Sequence, residues 1–203
     1  MPFFDWLKIT PLSSITPIHA RLEPNWADWR RVRKVLVPDH VYSWLCETGS
    51  LTARVKAACG NRCFEVRLLQ QGWGRPLYSE GRVLKMRRGE SAVVREVELL
   101  CDGIPWVFAR TLIPASSLRG PVRRLTLLGC KPLGAVLFAD PMVERGPMQI
   151  AHLSPRHPLF CSAAARLERV PLDIWGRRTV YFLAGHPLLV NELFLPDIPE
   201  RIR

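Results

Sequence analysis

The spacing of apolar positions changes character twice along this chain. After Pro38, Val41, Trp44 and Leu45 recur at three- to four-residue intervals, a stripe that predicts a helix opening near Asp39. Gly49-Ser50 interrupts it. Leu51, Val55 and Ala58 resume the stripe until Gly60, which predicts a second short helix and so a helical hairpin. From Phe64 the period falls to two, with Phe64, Val66 and Leu68 alternating with Glu65, Arg67 and Leu69. Residues 92–100 and 104–113 then flank Asp102-Gly103, a dipeptide suited to a tight hairpin turn. A second hairpin is predicted over 177–183 and 187–195, turning at Ala184-Gly185. Hairpin-linked strands pair antiparallel. The expected class is α+β: one antiparallel sheet with helices packed on one side.

The first 36 residues follow neither period. They hold Pro2, Pro11, Pro17 and Pro24, the tryptophans Trp6, Trp26 and Trp29, and the basic run from Arg30 to Lys34. Proline at that density breaks long helices. An irregular arm is expected over 1–36, followed by one domain over 37–203.

Composition narrows the function classes. With 203 residues, 48% hydrophobic and 23% charged, the chain is neither disordered, collagenous nor a coiled coil. No apolar run approaches the ~18–20 residues that cross a bilayer. Met1-Pro2-Phe3-Phe4-Asp5 lacks the basic start of a secretory signal, so a cytoplasmic protein is expected. A net charge of +11, from 29 Lys and Arg against 18 Asp and Glu, favours anionic partners. The basic residues fall in short separate groups and no nucleic-acid motif accompanies them, so nucleic acid is not expected. Six cysteines without a secretion signal do not read as disulfides, and the spacing of Cys59 and Cys63 is poor for zinc. The five histidines are scattered. No metal is expected.

Strand parity singles out two charges. In Val93-Val94-Arg95-Glu96-Val97-Glu98-Leu99, the odd positions place Arg95 with Val93, Val97 and Leu99. The same test puts Glu192 with Leu188, Val190 and Phe194. A buried charge needs a partner or a ligand. Two readings satisfy this: an Arg95–Glu192 ion pair, or a cavity that binds a charged ligand. Arg110, in phase with Trp106 and Phe108, and Arg178, in phase with Val180 and Phe182, are further candidates. No GxSxG elbow, phosphate-binding P-loop or HExxH motif is present. Gly72-Trp73-Gly74 reads as a loop.

Several segments occur in a recognisable order: Gly49-Ser50-Leu51-Thr52, Arg95-Glu96-Val97, Ala109-Arg110-Thr111-Leu112-Ile113-Pro114, Leu128-Gly129 with Pro132-Leu133-Gly134, Trp175-Gly176-Arg177-Arg178, and Glu192-Leu193-Phe194-Leu195-Pro196. Together, over about residues 38–196, the chain resembles the chorismate lyase family. The resemblance implies a single domain, a six-stranded antiparallel sheet and an enclosed site beneath two helical flaps. It implies conversion of chorismate to 4-hydroxybenzoate and pyruvate with no cofactor, as the first step of ubiquinone ring synthesis. Arg95 resembles the family's carboxylate-binding arginine, and Glu192 its essential acidic residue near the ring hydroxyl. The backbone N–H groups of Leu133 and Gly134 resemble its main-chain carboxylate contact. Leu51 stands where a relative has methionine beside the ligand. A monomer is expected, and the pathway so implied points to transient contact with a membrane-bound prenyltransferase. The alternative is a non-enzymatic sensor domain of the same fold that binds small anions, although the arm is too short and proline-rich for a helix-turn-helix. Two stretches depart from the family pattern: the longer arm, and an expanded segment over 152–172.

Overall fold

Seven strands build one antiparallel sheet. The computed structural model describes residues 22–32 and 34–200. The strands are β1 (Ala27–Asp28), β2 (Phe64–Gly74), β3 (Ala92–Cys101), β4 (Ile104–Pro114), β5 (Val143–Leu153), β6 (Ile174–Leu183) and β7 (His186–Phe194). Their spatial order is β1-β5-β6-β7-β4-β3-β2. The expected count of six is corrected by β1, where Ala27 and Asp28 lie opposite Ile150 and Gln149 on the edge of β5. Residues 1–21 of the expected arm lie outside the described residues, as does Arg33.

The β3–β4 hairpin turns at Asp102 and Gly103, with φ of 51° and 79°. Ala184 and Gly185 turn β6 into β7 with φ of 50° and 77°. Both turns hold two residues in the left-handed region, the twist that matches antiparallel strands. Gly72-Trp73-Gly74 is not a loop but the end of β2, paired with Val94, Val93 and Ala92. A bulge between Leu68 and Gln70 shifts the alternation there.

Helices cover both faces, not one. On the front face lie α1 (Asp39–Leu45), α2 (Leu51–Cys59) and α4 (Leu133–Ala139). Trp44, Leu45, Leu51 and Val55 pack there against Val97, Leu99 and Phe194, while Leu133 and Leu137 pack against Val93, Ile113 and Val190. On the back face lie α3 (Tyr78–Val83) and α5 (Pro158–Ala164). Leu159 and Phe160 meet Phe108 and Leu193 there, and Val83 joins Val94, Leu112 and Leu189. The expanded segment 152–172 supplies α5. β3 is consequently buried at every position. Its even-numbered charges are neutralised rather than solvated: Glu96 Oε1 takes Arg110 Nη1 at 2.6 Å, and Glu98 Oε2 takes Arg67 Nη1 at 3.3 Å.

One cysteine pair is also a correction. Cys59, the last residue of α2, and Cys101, the last of β3, form a disulfide across a sequence separation of 42. Cys46, Cys63, Cys130 and Cys161 are free thiols. No helix among the described residues is long and apolar enough to cross a membrane.

Candidate active site

A cavity of about 40 Å³ lies between the front face of the sheet and the helices α2 and α4. Its floor is Arg95, Val97 and Leu99 of β3, Ala109 and Thr111 of β4, and Val190 and Glu192 of β7. Leu51 and Thr52 reach in from α2, and Leu133, Gly134 and Phe138 from α4. Of the residues expected from the sequence, Arg95, Glu192, Leu51, Leu133 and Gly134 come together here.

Ser50 caps α2, its Oγ accepting the Ala53 N–H at 3.3 Å, which starts the helix at Leu51. α4 starts at Leu133 because Pro132 precedes it in extended conformation. The N–H of Leu133, at the first helical position, has no acceptor within the helix.

Arg95 sits on the floor with 5% of its surface exposed. Nη2 donates to the carbonyls of Gly129 and Lys131 at 2.8 and 3.0 Å, fixing the loop that leads into α4. Nε is buried without a hydrogen-bond partner. Burial lowers the guanidinium's pKa, yet at neutral pH the group stays charged. A buried donor left unpaired costs about 1–3 kcal/mol. Arg95 lines the cavity and its only side-chain acceptors among the described residues are two backbone carbonyls, so an anionic oxygen there can form a charge-assisted bond with the guanidinium.

Glu192 pairs with Arg177, not with Arg95. The two residues lie opposite each other on β7 and β6, and Arg177 Nε donates to Glu192 Oε2 at 2.5 Å. Beside them, Tyr181 also lines the cavity. Burial, with a further contribution from the charge of Glu192, raises its phenol pKa to about 12. Tyr181 is therefore a neutral hydroxyl at any working pH.

Arg110 and Arg178 are on the other face. Arg110 Nε donates to Glu80 Oε1 at 3.0 Å, and Asn191 Nδ2 donates to the same oxygen at 3.0 Å. Arg178 Nε donates to Gln149 Oε1 at 2.8 Å, and its guanidinium stacks 4.5 Å from the ring of Trp26. Burial lowers the Arg178 pKa to about 10. Both arginines brace α3 and the back of the sheet, and neither reaches the cavity.

Strand parity in the sequence marks neither Thr111 nor Tyr181 as a site residue, and it picks out Arg178 rather than Arg177, the pair itself reading only as a phosphate contact or a charged turn. The signal for Arg177 was there, since it shares parity with Trp175, Tyr181 and Leu183 on β6. Among the described residues, no group of three or more His, Cys, Asp or Glu side chains could hold a metal ion.

Residues 23–203 match the family model described as "Chorismate lyase". A protein of Aromatoleum aromaticum, named "Probable chorismate pyruvate-lyase", is 43% identical over 183 residues, 89% of this chain and 98% of its own. One of Methylococcus capsulatus with the same name is 45% identical over 161 residues, 78% of this chain and 98% of its own. Among solved structures, the effector domain of PhnF from Mycobacterium smegmatis matches with a TM-score of 0.55 at 19% identity, covering 74% of this chain and 91% of that one. At that identity the likeness concerns the fold.

Proposed function

The chain belongs to the chorismate lyase family, and on that premise we propose that it converts chorismate to 4-hydroxybenzoate and pyruvate. The carrying observation is a buried arginine, Arg95, that lines the same small cavity as Glu192 without being paired to it. Chorismate is a dianion with a ring carboxylate and a ring hydroxyl. Arg95 takes a carboxylate, joined by the N–H groups of Leu133 and Gly134. Glu192 faces the hydroxyl.

In the reaction the ether C–O bond to the enolpyruvyl group breaks. The neighbouring ring carbon loses its hydrogen, the enolpyruvyl methylene gains one, and pyruvate leaves. The ring keeps its carboxylate and hydroxyl and becomes aromatic. Aromatisation supplies the driving force, so positioning of the substrate carries much of the rate. Glu192 either receives the ring proton as a general base or fixes the hydroxyl while hydrogen passes internally. Neither route calls for a cofactor.

An apolar cavity that takes up benzene measures about 150 Å³. The 40 Å³ here is several-fold smaller. Admission of a substituted ring therefore requires α2 and α4 to part, and closure over the ligand encloses it. The aromatic product retains the contacts at Arg95 and Glu192, so lid opening and product release limit turnover.

Incubation of purified protein with chorismate, followed for pyruvate and 4-hydroxybenzoate, tests the reading. Turnover unaffected by EDTA is expected, with a first burst of aromatic product and competitive inhibition by 4-hydroxybenzoate. Activity that appeared only with an added divalent ion would overturn the cofactor-free route. The second reading is a non-enzymatic sensor of small anions, favoured by the fold likeness to an effector domain. It predicts saturable binding with no pyruvate formed. The enzyme reading also carries the rest of the proposal: a monomer in the cytoplasm, serving ubiquinone ring synthesis and passing product to a membrane-bound prenyltransferase.

A further inference from the structure

Arg177 has 1% of its surface exposed and does not line the cavity. Its guanidinium nevertheless bridges two parts of the site. Nε donates to Glu192 Oε2 at 2.5 Å. Nη1 donates to the carbonyls of Trp44 at 3.2 Å, Leu45 at 3.4 Å and Glu47 at 2.5 Å. Trp44 and Leu45 end α1 and Glu47 follows it, where the last carbonyls of a helix lack their full set of helical partners. A planar guanidinium held at one end by three carbonyls cannot swing, and its fork geometry fixes what binds at the other end. Of the carboxylate, Oε2 is engaged by Arg177 while Oε1 is not.

We infer that Arg177 is the positioning residue for Glu192, holding one carboxylate oxygen so that the other is presented to the substrate, and tying that orientation to the end of α1. The inference rests on the reading of Glu192 as a group that acts on substrate. Arg177 touches no part of the cavity, so its influence on the reaction must pass through Glu192. Lysine at this position keeps the charge but cannot span the carboxylate and the carbonyls together.

The test is a double-mutant cycle on full-length protein with chorismate: wild type, Arg177→Lys, Glu192→Gln and the double variant, each checked for folding by circular dichroism. Misplacement of a reacting group by about 1 Å can cost on the order of 100-fold in rate. A fall of that size in kcat is expected for Arg177→Lys, with little change in KM or in affinity for 4-hydroxybenzoate. In the Glu192→Gln background the same substitution should cost almost nothing further.

An equal loss of kcat in both backgrounds would assign Arg177 to the scaffold and overturn the inference, as would wild-type kcat in Arg177→Lys. Failure of the parent reading looks different: no turnover by wild type removes the lyase function, and full turnover by Glu192→Gln removes the role of Glu192, each taking the inference with it. Should Arg177→Lys not fold, a crystal structure of the wild-type protein with 4-hydroxybenzoate decides. Glu192 must then keep Oε2 on Arg177 with Oε1 toward the ligand, and a broken pair would overturn the assignment.

Discussion

Gly134 of α4 lies so close to Thr52 of α2 that a Cβ on the glycine would sit 3.1 Å from Thr52 Oγ1 and 3.3 Å from Ser50 Oγ. Both are tighter than ordinary carbon–oxygen contacts, so the two helices that roof the cavity meet at a point where only hydrogen fits without displacement. Gly134→Ala should push Ser50 and Thr52 aside by a few tenths of an ångström and loosen the cap on α2. A several-fold weaker affinity for 4-hydroxybenzoate is expected, with the fold intact by circular dichroism. Calorimetric titration of the variant against wild type checks this. Unchanged affinity would mean that α2 and α4 do not close together on the ligand.

Arg95 serves two ends, with Nη2 on the Gly129 and Lys131 carbonyls and the side chain on the cavity floor. Truncating a buried charged contact costs about 2–5 kcal/mol in binding. Arg95→Ala should therefore raise KM and the product dissociation constant by at least an order of magnitude. It should also release the loop before α4, which limited proteolysis between 119 and 140 would detect. Arg95→Lys keeps the charge but not the bidentate reach, and should fall between the two.

Glu192→Gln retains shape and one acceptor oxygen but removes charge. If Glu192 has the proposed role at the reacting hydrogen or hydroxyl, turnover should fall more than affinity. The variant should also melt at lower temperature, since Arg177 is left buried against a neutral partner. Steady-state kinetics and a thermal melt separate the two effects. A normal kcat with a lowered melting temperature would make the pair structural only.

The Cys59–Cys101 disulfide closes a long loop, with 42 residues of separation. Chain-entropy arguments give about 4 kcal/mol for a loop of this size. Cys59→Ser should lower the melting temperature by roughly 10 °C for a domain of this length. Thiol titration of the unreduced protein in denaturant should count four free thiols. Six would show that the bond does not form in the expressed protein.

Tyr181 supplies a pH signature. Its phenol pKa is 10.0 in the reference state and about 12 in the fold, chiefly through burial. Between those values the unfolded phenol loses its proton while the folded one keeps it, so stability is full below pH 10 and falls as pH rises toward 12. A shift of this size corresponds to about 2–3 kcal/mol. Tyr181→Phe should lack that loss. Urea midpoints at pH 9 and pH 11.5 should show wild type losing stability relative to the variant over that interval.

Alternation in β3 and β7 was enough to pick out Arg95 and Glu192, because a two-residue period assigns faces without knowledge of neighbours. It could not pair them correctly. Which strands lie side by side is a tertiary fact, and β6, not β3, borders β7 on the side where Glu192 finds its arginine. Parity with Val180 and Phe182 marks Arg178, and the same test with Trp175, Tyr181 and Leu183 marks Arg177 on the opposite face of the strand. Helices α3 and α4 span six and seven residues, fewer than two turns, too little to establish a helical period. The bulge near Leu69 reset the parity of β2, which hid the strand character of Gly72-Trp73-Gly74. The burial of Glu96 and Glu98 was masked by their charge; only partners distant in sequence, such as Arg110 and Arg67, make it tolerable.

The placement of Arg95 and Glu96 on successive positions of one strand has a consequence for which sequence changes this chain can survive. A one-residue insertion or deletion within β3 would exchange its faces. Val93, Val94 and Val97 would pack on either side, so apolar burial alone would scarcely oppose the exchange. The charges would oppose it strongly. Glu96 would turn into the cavity and repel an anion, while Arg95 would turn toward Arg110. Length changes inside β3 ahead of Arg95 should therefore remove the proposed anion binding even where the valine core still forms, whereas length changes in the loops between strands leave the polarity of the two faces untouched.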